Sequence, residues 1–568
     1  MKTGIASTQS HYSVPVLAGI FLLGVGATTF INQFFFTRSR SSSPVVIDTL
    51  LFEQQMQEAQ RLVAENNLDA AITKYTSLLS PTSEYAAIHE QISMAQLKKR
   101  SFSDAIMHAK QALLIDPLRA PCYIIMGQAL AHLHKSEGAL QCYKKAIELK
   151  PDLQRAHYYL ARELMKQKKY NDALKYALKA LELDPKNTLT ILTLGYIYSY
   201  MGNLENAKKC FKKACLLNPK LANAYYNLGN ILRVDNKFQE AIPHLQKAIE
   251  LKPHYPDAHV ALAHCHWALG NLKEAWPAYE KRWGLLNIEF KSQWDGSDIK
   301  GKKILLFSEQ GLGDALQFVR YAKILKQKGA TVICRVQKPL KTILSLCPYI
   351  DHIITGKEKI DHDAYAALMS LPYILDTTAE TIPHEIPYLY ADKKLIETWK
   401  QRLAHDKNFK VGICWYVDQT HEKDKLPQAH RSVPVELFAL LADIPGISFY
   451  SLQKFNGEEH IKKIPAHFKV TTFTKDFDEH NGRFMDTAAL IQNLDLVISV
   501  DTSIIHLAAG LGKPVWTLLP YSADCRWGMG TTTPWYPTMK LFRMQKPGDW
   551  KNTMMHVKTE LQKLLSTR

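Results

Sequence analysis

The chain has 568 residues, of which 46% are hydrophobic and 22% charged, and a formal net charge of +17. The length calls for several domains, and the composition is that of globular protein. The basic excess is spread along helices, as in Lys144–Lys145, Lys168–Lys169, Lys208–Lys209 and Lys212–Lys213, which reads as a solvated face or a surface for an acidic partner. With no zinc-finger spacing and no basic–aromatic RNA signature, nucleic acid is excluded as a partner. The nine cysteines form no CxxC pair and several lie in apolar contexts, which fits free thiols in a reducing compartment rather than a disulfide framework.

In chain order, residues 1–13 are a short tail and residues 14–36 (VPVLAGIFLLGVGATTFINQFFF) run without a charge. About 20 such residues suffice to cross a hydrocarbon core. A signal peptide would be shorter and end at a small-x-small site, so the run reads as an uncleaved transmembrane anchor. Arg38 and Arg40 follow it and only Lys2 precedes it, which points to a single-pass membrane protein with its folded domains in the cytoplasm. Residues 37–51 read as a linker.

From residue 52 to 285 the chain keeps a period. Pro117, Pro151, Pro185, Pro219 and Pro253 are each 34 residues apart, and Ala71, Ala105, Ala139, Ala173, Ala207, Ala241 and Ala275 keep the same step. Gly127, Ala161, Gly195, Gly229 and Ala263 form a third series. Small residues recur where two helices cross, and proline recurs where the second must stop. Such a period marks stacked helix–turn–helix units, here roughly seven, the first irregular. Asn223, Asn227 and Asn230 lie in the first helix of one unit. They can line a concave groove and hold extended peptide backbone, or simply be solvated or capping.

Past residue 285 the grammar changes. Residues 286–302 read as a connector. Lys302–Ser308 is a strand, Glu309–Asp314 a glycine turn, Ala315–Gly329 helical and Thr331–Val336 a second strand. This is a βαβ unit. A second set comprises strands at Lys410–Tyr416, Ile447–Gln453, Leu496–Val500 and Pro514–Leu519, with helices from Pro434, over Phe484–Asn493, from Ser503 and over Trp550–Leu565. The reading is two Rossmann-like halves, 303–395 and 396–568, facing a cleft.

Ligands of open α/β sheets bind beyond the carboxyl ends of the strands, so the loops after strands matter most. Gly311 and Gly313 allow close backbone approach at a helix amino terminus, and Asp314 is either a reactive carboxylate or an ordinary first-turn acid. Asp501, Thr502, Ser503 and His506 open a helix that can cradle a diphosphate, or supply only a cap and a packed histidine. Arg431 could clamp phosphate oxygens or be a surface charge. The histidines are scattered, and no metal-ligand cluster or cofactor motif is evident; His264 and His266 read as structural.

The repeat pattern, clearest in Leu221–His254, resembles the tetratricopeptide repeat. EQGLGDALQFVRY, VISVDTSIIHLAAGLGKPVWTLLP and RWGMGTTTPWYPTMKLFR resemble bacterial tetratricopeptide-repeat proteins with a heptosyltransferase-like domain, the glycosyltransferase family nine type with a GT-B fold. The domain order is also similar to that of protein O-GlcNAc transferases. The resemblance implies a multidomain fold: an anchor, an all-α superhelix and a double Rossmann domain. It implies Asp314 as general base, Arg431 steadying the leaving diphosphate, and Asp501, Thr502, Ser503 and His506 as the donor loop, with Gly311, Gly313, Gln453 and Lys454 as further donor contacts. Ser503 stands where many such enzymes have glycine, and the segment between Trp415 and Arg431 is longer than usual. The implied substrate is a nucleotide-diphosphate sugar, with no cofactor, and the acceptor is a protein or glycan recruited by the repeats. The alternative is an anchored, non-catalytic repeat scaffold with a degenerate transferase domain.

Overall fold

The structure is a computed structural model that describes residues 49–79, 85–286, 293–418, 426–474 and 476–567. Two compact units meet in sequence at Leu118 and Arg119. The first holds helices α1 (Thr49–Ala64), α2 (Leu68–Ser77), α3 (Tyr85–Lys98) and α4 (Phe102–Ile115) around Ala59, Ala71, Tyr75, Ile88 and Ile92.

The second unit opens with five helix pairs: α5 (Ala120–His132) and α6 (Ser136–Leu149), α7 (Gln154–Lys166) and α8 (Tyr170–Leu183), α9 (Thr188–Tyr200) and α10 (Leu204–Leu217), α11 (Ala222–Val234) and α12 (Phe238–Leu251), α13 (Pro256–Ala268) and α14 (Leu272–Tyr279). The periodic prolines act one residue upstream. Lys150, Asp184, Asn218 and Lys252 each precede a proline and each leaves the helical region, with φ near −140° and ψ near 87° (Lys150 −142°/89°, Lys252 −143°/86°). Within each pair the chain reverses at a left-handed residue: His134, Lys168, Gly202, Asn236 and Gly270. The small residues sit at helix crossings. A Cβ on Gly229 would lie 2.6 Å from Leu245 Cγ, and one on Gly127 would lie 2.5 Å from the Tyr143 ring.

The α/β part contains two all-parallel sheets. The first has the order β3–β2–β1–β4, from β1 (Lys303–Phe307), β2 (Thr331–Val336), β3 (His352–Thr355) and β4 (Ala364–Ala367). The second has the order β10–β9–β8–β5–β6–β7, from β5 (Phe409–Cys414), β6 (Ile447–Ser451), β7 (Val470–Thr471), β8 (Leu496–Val500), β9 (Val515–Leu519) and β10 (Met539–Arg543). Helices α15 (Leu312–Phe318) and α16 (Tyr321–Gln327) follow β1, and α17 (Lys393–Arg402) leads into β5. Helices α18 (Met485–Gln492), α19 (Ser503–Gly510) and α20 (Trp550–Ser566) belong to the second half. The segment after Pro434 is a 3-10 helix over Val435–Leu441.

The repeats are fastened to both halves. Trp276 Nε1 donates to Thr377 O at 2.8 Å, and Arg282 Nη2 reaches Glu309 Oε1 at 3.0 Å. Gln428 Nε2 donates to Gly202 O at 2.9 Å, and Asn236 Nδ2 to Tyr521 O at 2.7 Å. One hydrophobic core runs from Ile191 in α9 through Trp267 and Trp276 into the first sheet.

The expected anchor requires correction. Among the described residues no helix is long and apolar enough to cross a membrane, and residues 14–36 lie outside the described residues. The fold class is therefore an all-α repeat array followed by an α/β domain, and neither a transmembrane helix, a single-pass membrane localisation nor membrane association is supported. The physical reason is length and charge: among the described residues the longest helix, α20, has 17 residues and carries several charged side chains, whereas a span needs about 20 apolar residues.

Candidate active site

The loops after β1, β5, β6 and β8 converge on one cavity of about 780 Å³ between the two halves, within the size range of small-molecule sites. Gly311, Gly313, Asp314, Arg431, Gln453, Lys454, Asp501, Thr502, Ser503 and His506 all line it. Asn223, Asn227 and Asn230 do not.

Asp314 is the third residue of α15. Its Oδ2 accepts from Gly311 N at 2.9 Å, which closes the helix start. Its Oδ1 accepts from Arg526 Nη2 at 2.6 Å. The same guanidinium donates to Gln317 Oε1 at 2.6 Å and to Asp524 Oδ1 at 2.9 Å. Arg526 thus ties the first half to the second. Burial works against its charge, but Asp524 and Asp314 outweigh that and hold it protonated well above the ordinary range.

In the second half, Thr502 caps α19, its hydroxyl accepting from Ile504 N at 3.3 Å. Asp501 is buried; its Oδ2 accepts from Trp527 Nε1 at 3.0 Å and its carbonyl from Arg431 Nη1 at 2.9 Å. Burial raises the Asp501 carboxyl above its usual range, against the pull of Arg431. His506 is buried, with Nδ1 2.8 Å from Tyr536 Oη. Burial, then Arg526 and Arg320, push its pKa well down, so it is neutral. Gly313 serves this contact: a Cβ there would meet His506 Cδ2 at 2.8 Å. Close packing of the first turns of two helices, α15 and α19, rather than a backbone turn, demands the glycine.

Gln453 lines the cavity and also engages the neighbouring backbone. Its Oε1 accepts from Trp415 N at 3.2 Å and Tyr416 N at 3.0 Å, and its Nε2 donates to Asn456 O at 2.9 Å. It is a buttress that shapes the loop after β5. Residues 419–425 of that loop lie outside the described residues.

The cavity also contains residues that sequence reasoning missed. Arg526 and Asp524 are two of them. A third group is the wall formed by Phe455, Asp478, Arg483 and Phe484. The Arg483 guanidinium lies 3.6 Å from the Phe455 ring centroid, and Phe455 is 43% exposed. Phe455, Asp478 and Phe484 adopt left-handed backbone angles (φ 63°, 62° and 67°). Such angles cost free energy in residues with a Cβ and concentrate at ligand sites. No periodicity announces them; the one signal in the sequence was Arg526 inside the RWGMG stretch. Among the described residues, no group of three or more His, Cys, Asp or Glu could hold a metal ion.

The proposed groove asparagines divide. Asn223 is exposed. Asn227 is buried and donates to Tyr196 Oη at 2.6 Å, so it braces two repeats. Asn230 accepts from Arg233 Nη2 at 2.9 Å.

Two parallel sheets with a polar cleft at their carboxyl edges, joined to a helical solenoid, define a class of α/β cleft proteins with an attached repeat array. Comparison with known proteins gives that class its family. Tetratricopeptide-repeat models match residues 120–153, 154–187, 195–233 and 222–255. The glycosyltransferase family 9 (heptosyltransferase) model matches residues 456–558. The chain thus carries tetratricopeptide repeats followed by a glycosyltransferase family 9 domain. Protein FlbA of Caulobacter vibrioides is 27% identical over 327 residues, 52% of this chain and 53% of that protein. The chain therefore spans about half the length of that relative. Tetratricopeptide repeat protein 12 of Homo sapiens is 26% identical over 117 residues, 21% of this chain and 16% of that protein. Among solved structures, Pseudomonas aeruginosa pilF superposes with a TM-score of 0.34 at 18% identity, over 36% of this chain and 94% of that one.

Proposed function

We propose that this protein transfers a sugar from a nucleotide-diphosphate donor to a hydroxyl of an acceptor recruited by the repeats. The observation that carries the reading is the convergence of Asp314, beyond β1, and the α19 amino terminus, beyond β8, on one cavity. The donor diphosphate lies against the α19 N–H groups, where the helix dipole favours negative charge, with Arg431 beside it. Phe455 and Arg483 offer a flat face to the donor's base. Asp314 removes the acceptor proton as the acceptor oxygen bonds to the anomeric carbon. The bond from that carbon to the diphosphate oxygen breaks, its electron pair leaves with the nucleotide diphosphate, and the anomeric centre inverts.

In the free protein Arg526 occupies Asp314. A bound diphosphate is a stronger anion than one carboxylate and draws the guanidinium away, releasing the base next to a neutralised leaving group. That same ion pair favours the second reading, a non-catalytic scaffold in which it is permanent.

The test is a thermal-midpoint screen of the full chain with ADP-, UDP-, GDP- and CMP-linked sugars, followed by a transfer assay with the donor that binds. Stabilisation by one donor and transfer abolished in Asp314→Asn support the enzyme. Donor binding without sugar transfer or donor hydrolysis supports the scaffold.

A further inference from the structure

A second cavity, of about 330 Å³, lies where the repeats meet the carboxy-terminal half. Three of its lining residues, Arg431, Asp501 and Asp524, also line the large cleft, so the two spaces share a wall. Its other side belongs to the array: Asn230, Arg233 and Val234 of α11, and His264 of α13.

Asn230 and His264 are one 34-residue period apart and hold the same position in successive first helices. The same register upstream holds Gln128, Arg162 and Tyr196. All five are half-buried and polar, each on the first helix of its pair. Such a row, one side chain per repeat, suits an extended chain with a regular backbone spacing, and it ends at the second cavity.

The charges of that cavity are unevenly committed. Asp524 is paired with Arg526, and Asp501 turns its carboxylate to Trp527. Burial, with Arg233 nearby, pushes His264 down to about 4, so it is neutral. The Arg233 guanidinium donates through Nε and Nη2 to the neutral Asn230 Oδ1, at 3.1 and 2.9 Å. Asn230 therefore aims a cation, rather than neutralising one.

We infer that the second cavity is the acceptor subsite, and that it takes an extended polypeptide in which a carboxylate side chain, held by Arg233, neighbours the hydroxyl presented to the cleft. The inference rests on the transferase reading for the identity of the hydroxyl, but its binding chemistry stands apart from the donor.

The test uses the full chain and fluorescein-labelled peptides of alternating glutamate and serine or lysine and serine, read by anisotropy, alongside the donor thermal shift. The Glu–Ser peptide binds, and Arg233→Gln weakens it about tenfold, the worth of one charge-assisted contact. Asn230→Ala weakens it in the same direction. Lys213→Gln, which removes an equal charge from an exposed position on α10, does not, and the donor shift is unchanged in all three. Equal binding of the lysine peptide, or equal losses in Arg233→Gln and Lys213→Gln, overturns the inference. So does Arg233-dependent binding of a sulfated oligosaccharide in place of the peptide. Peptide binding through Arg233 with no donor shift in the wild type upholds the subsite and defeats the transferase reading instead.

Discussion

Arg526 Nη2 lies 2.6 Å from Asp314 Oδ1, and this contact joins the two halves of the α/β domain. The proposed mechanism gives the two residues separable roles. Asp314→Asn keeps donor binding and lowers transfer by about a hundred- to ten-thousandfold, as for loss of a general base. Arg526→Met weakens binding of the nucleoside diphosphate itself and lowers transfer as well. Calorimetric titration with the diphosphate, set beside kcat for each variant, separates the two.

Two histidines held neutral make stability depend on pH. His506 and His264 are neutral in the folded chain, His264 with its pKa pushed down to about 4 by burial. In the unfolded chain a histidine titrates near 6.5. Below that value the unfolded state binds protons that the folded state refuses. The stabilisation is complete above about 6.5 and is lost as pH falls toward the folded values. The thermal midpoint should therefore drop between pH 7 and pH 4.5, and His264→Gln should flatten that slope.

Helix crossing in the array has a single-atom test. Gly229→Ala drives a Cβ to within 2.6 Å of Leu245 Cγ, in a core position where Leu245 is fully buried. Overpacking of this kind costs about 1–3 kcal/mol, read as a lower midpoint in urea with an unchanged slope.

Arg320 is buried and donates to Pro383 O at 2.9 Å, Trp535 O at 2.6 Å and Tyr388 Oη at 2.9 Å. Arg320→Leu leaves those acceptors without their partner. At about 1.5–3 kcal/mol per hydrogen bond to a charged group, the variant should unfold well below the wild type, which differential scanning calorimetry would show.

The array was legible because its constraints are local. Proline, alanine and glycine recur wherever a helix stops or crosses, and each acts on its own neighbourhood. The left-handed reversals at His134, Lys168, Gly202, Asn236 and Gly270 share the period but not the residue type, so they escaped notice. The strand and helix series around β1, β2, β5, β6, β8 and β9 was legible from continuous apolar runs. Strands β3, β4, β7 and β10 were missed. HIIT and AYAA are four residues long and VT is two, too short for a pattern, and MKLFR carries charges at two half-buried positions. Within the cleft, the loops after strands were found from sequence because position in the topology decides them. Arg526 was not, because its importance comes from Asp314 and Gln317, which are distant in sequence and meet it only after folding. Gln453 shows the converse: its place at a strand end was evident, but its engagement by four backbone groups was not.

The core that begins at Ile191 and runs without a break into the first sheet gives the solenoid a direction of growth. Residues from Ala120 to Ile197 pack around a cluster of their own, made only of repeat residues. Duplication or loss of a 34-residue module there changes the length of the arm and leaves the cleft as it is. From α9 onward the helices are also walls of another domain, and a module cannot be added or removed without re-registering Gly202 on Gln428 and Trp276 on Thr377. Descent with variation in reach is thus open at the amino-terminal side of the array and closed at the other.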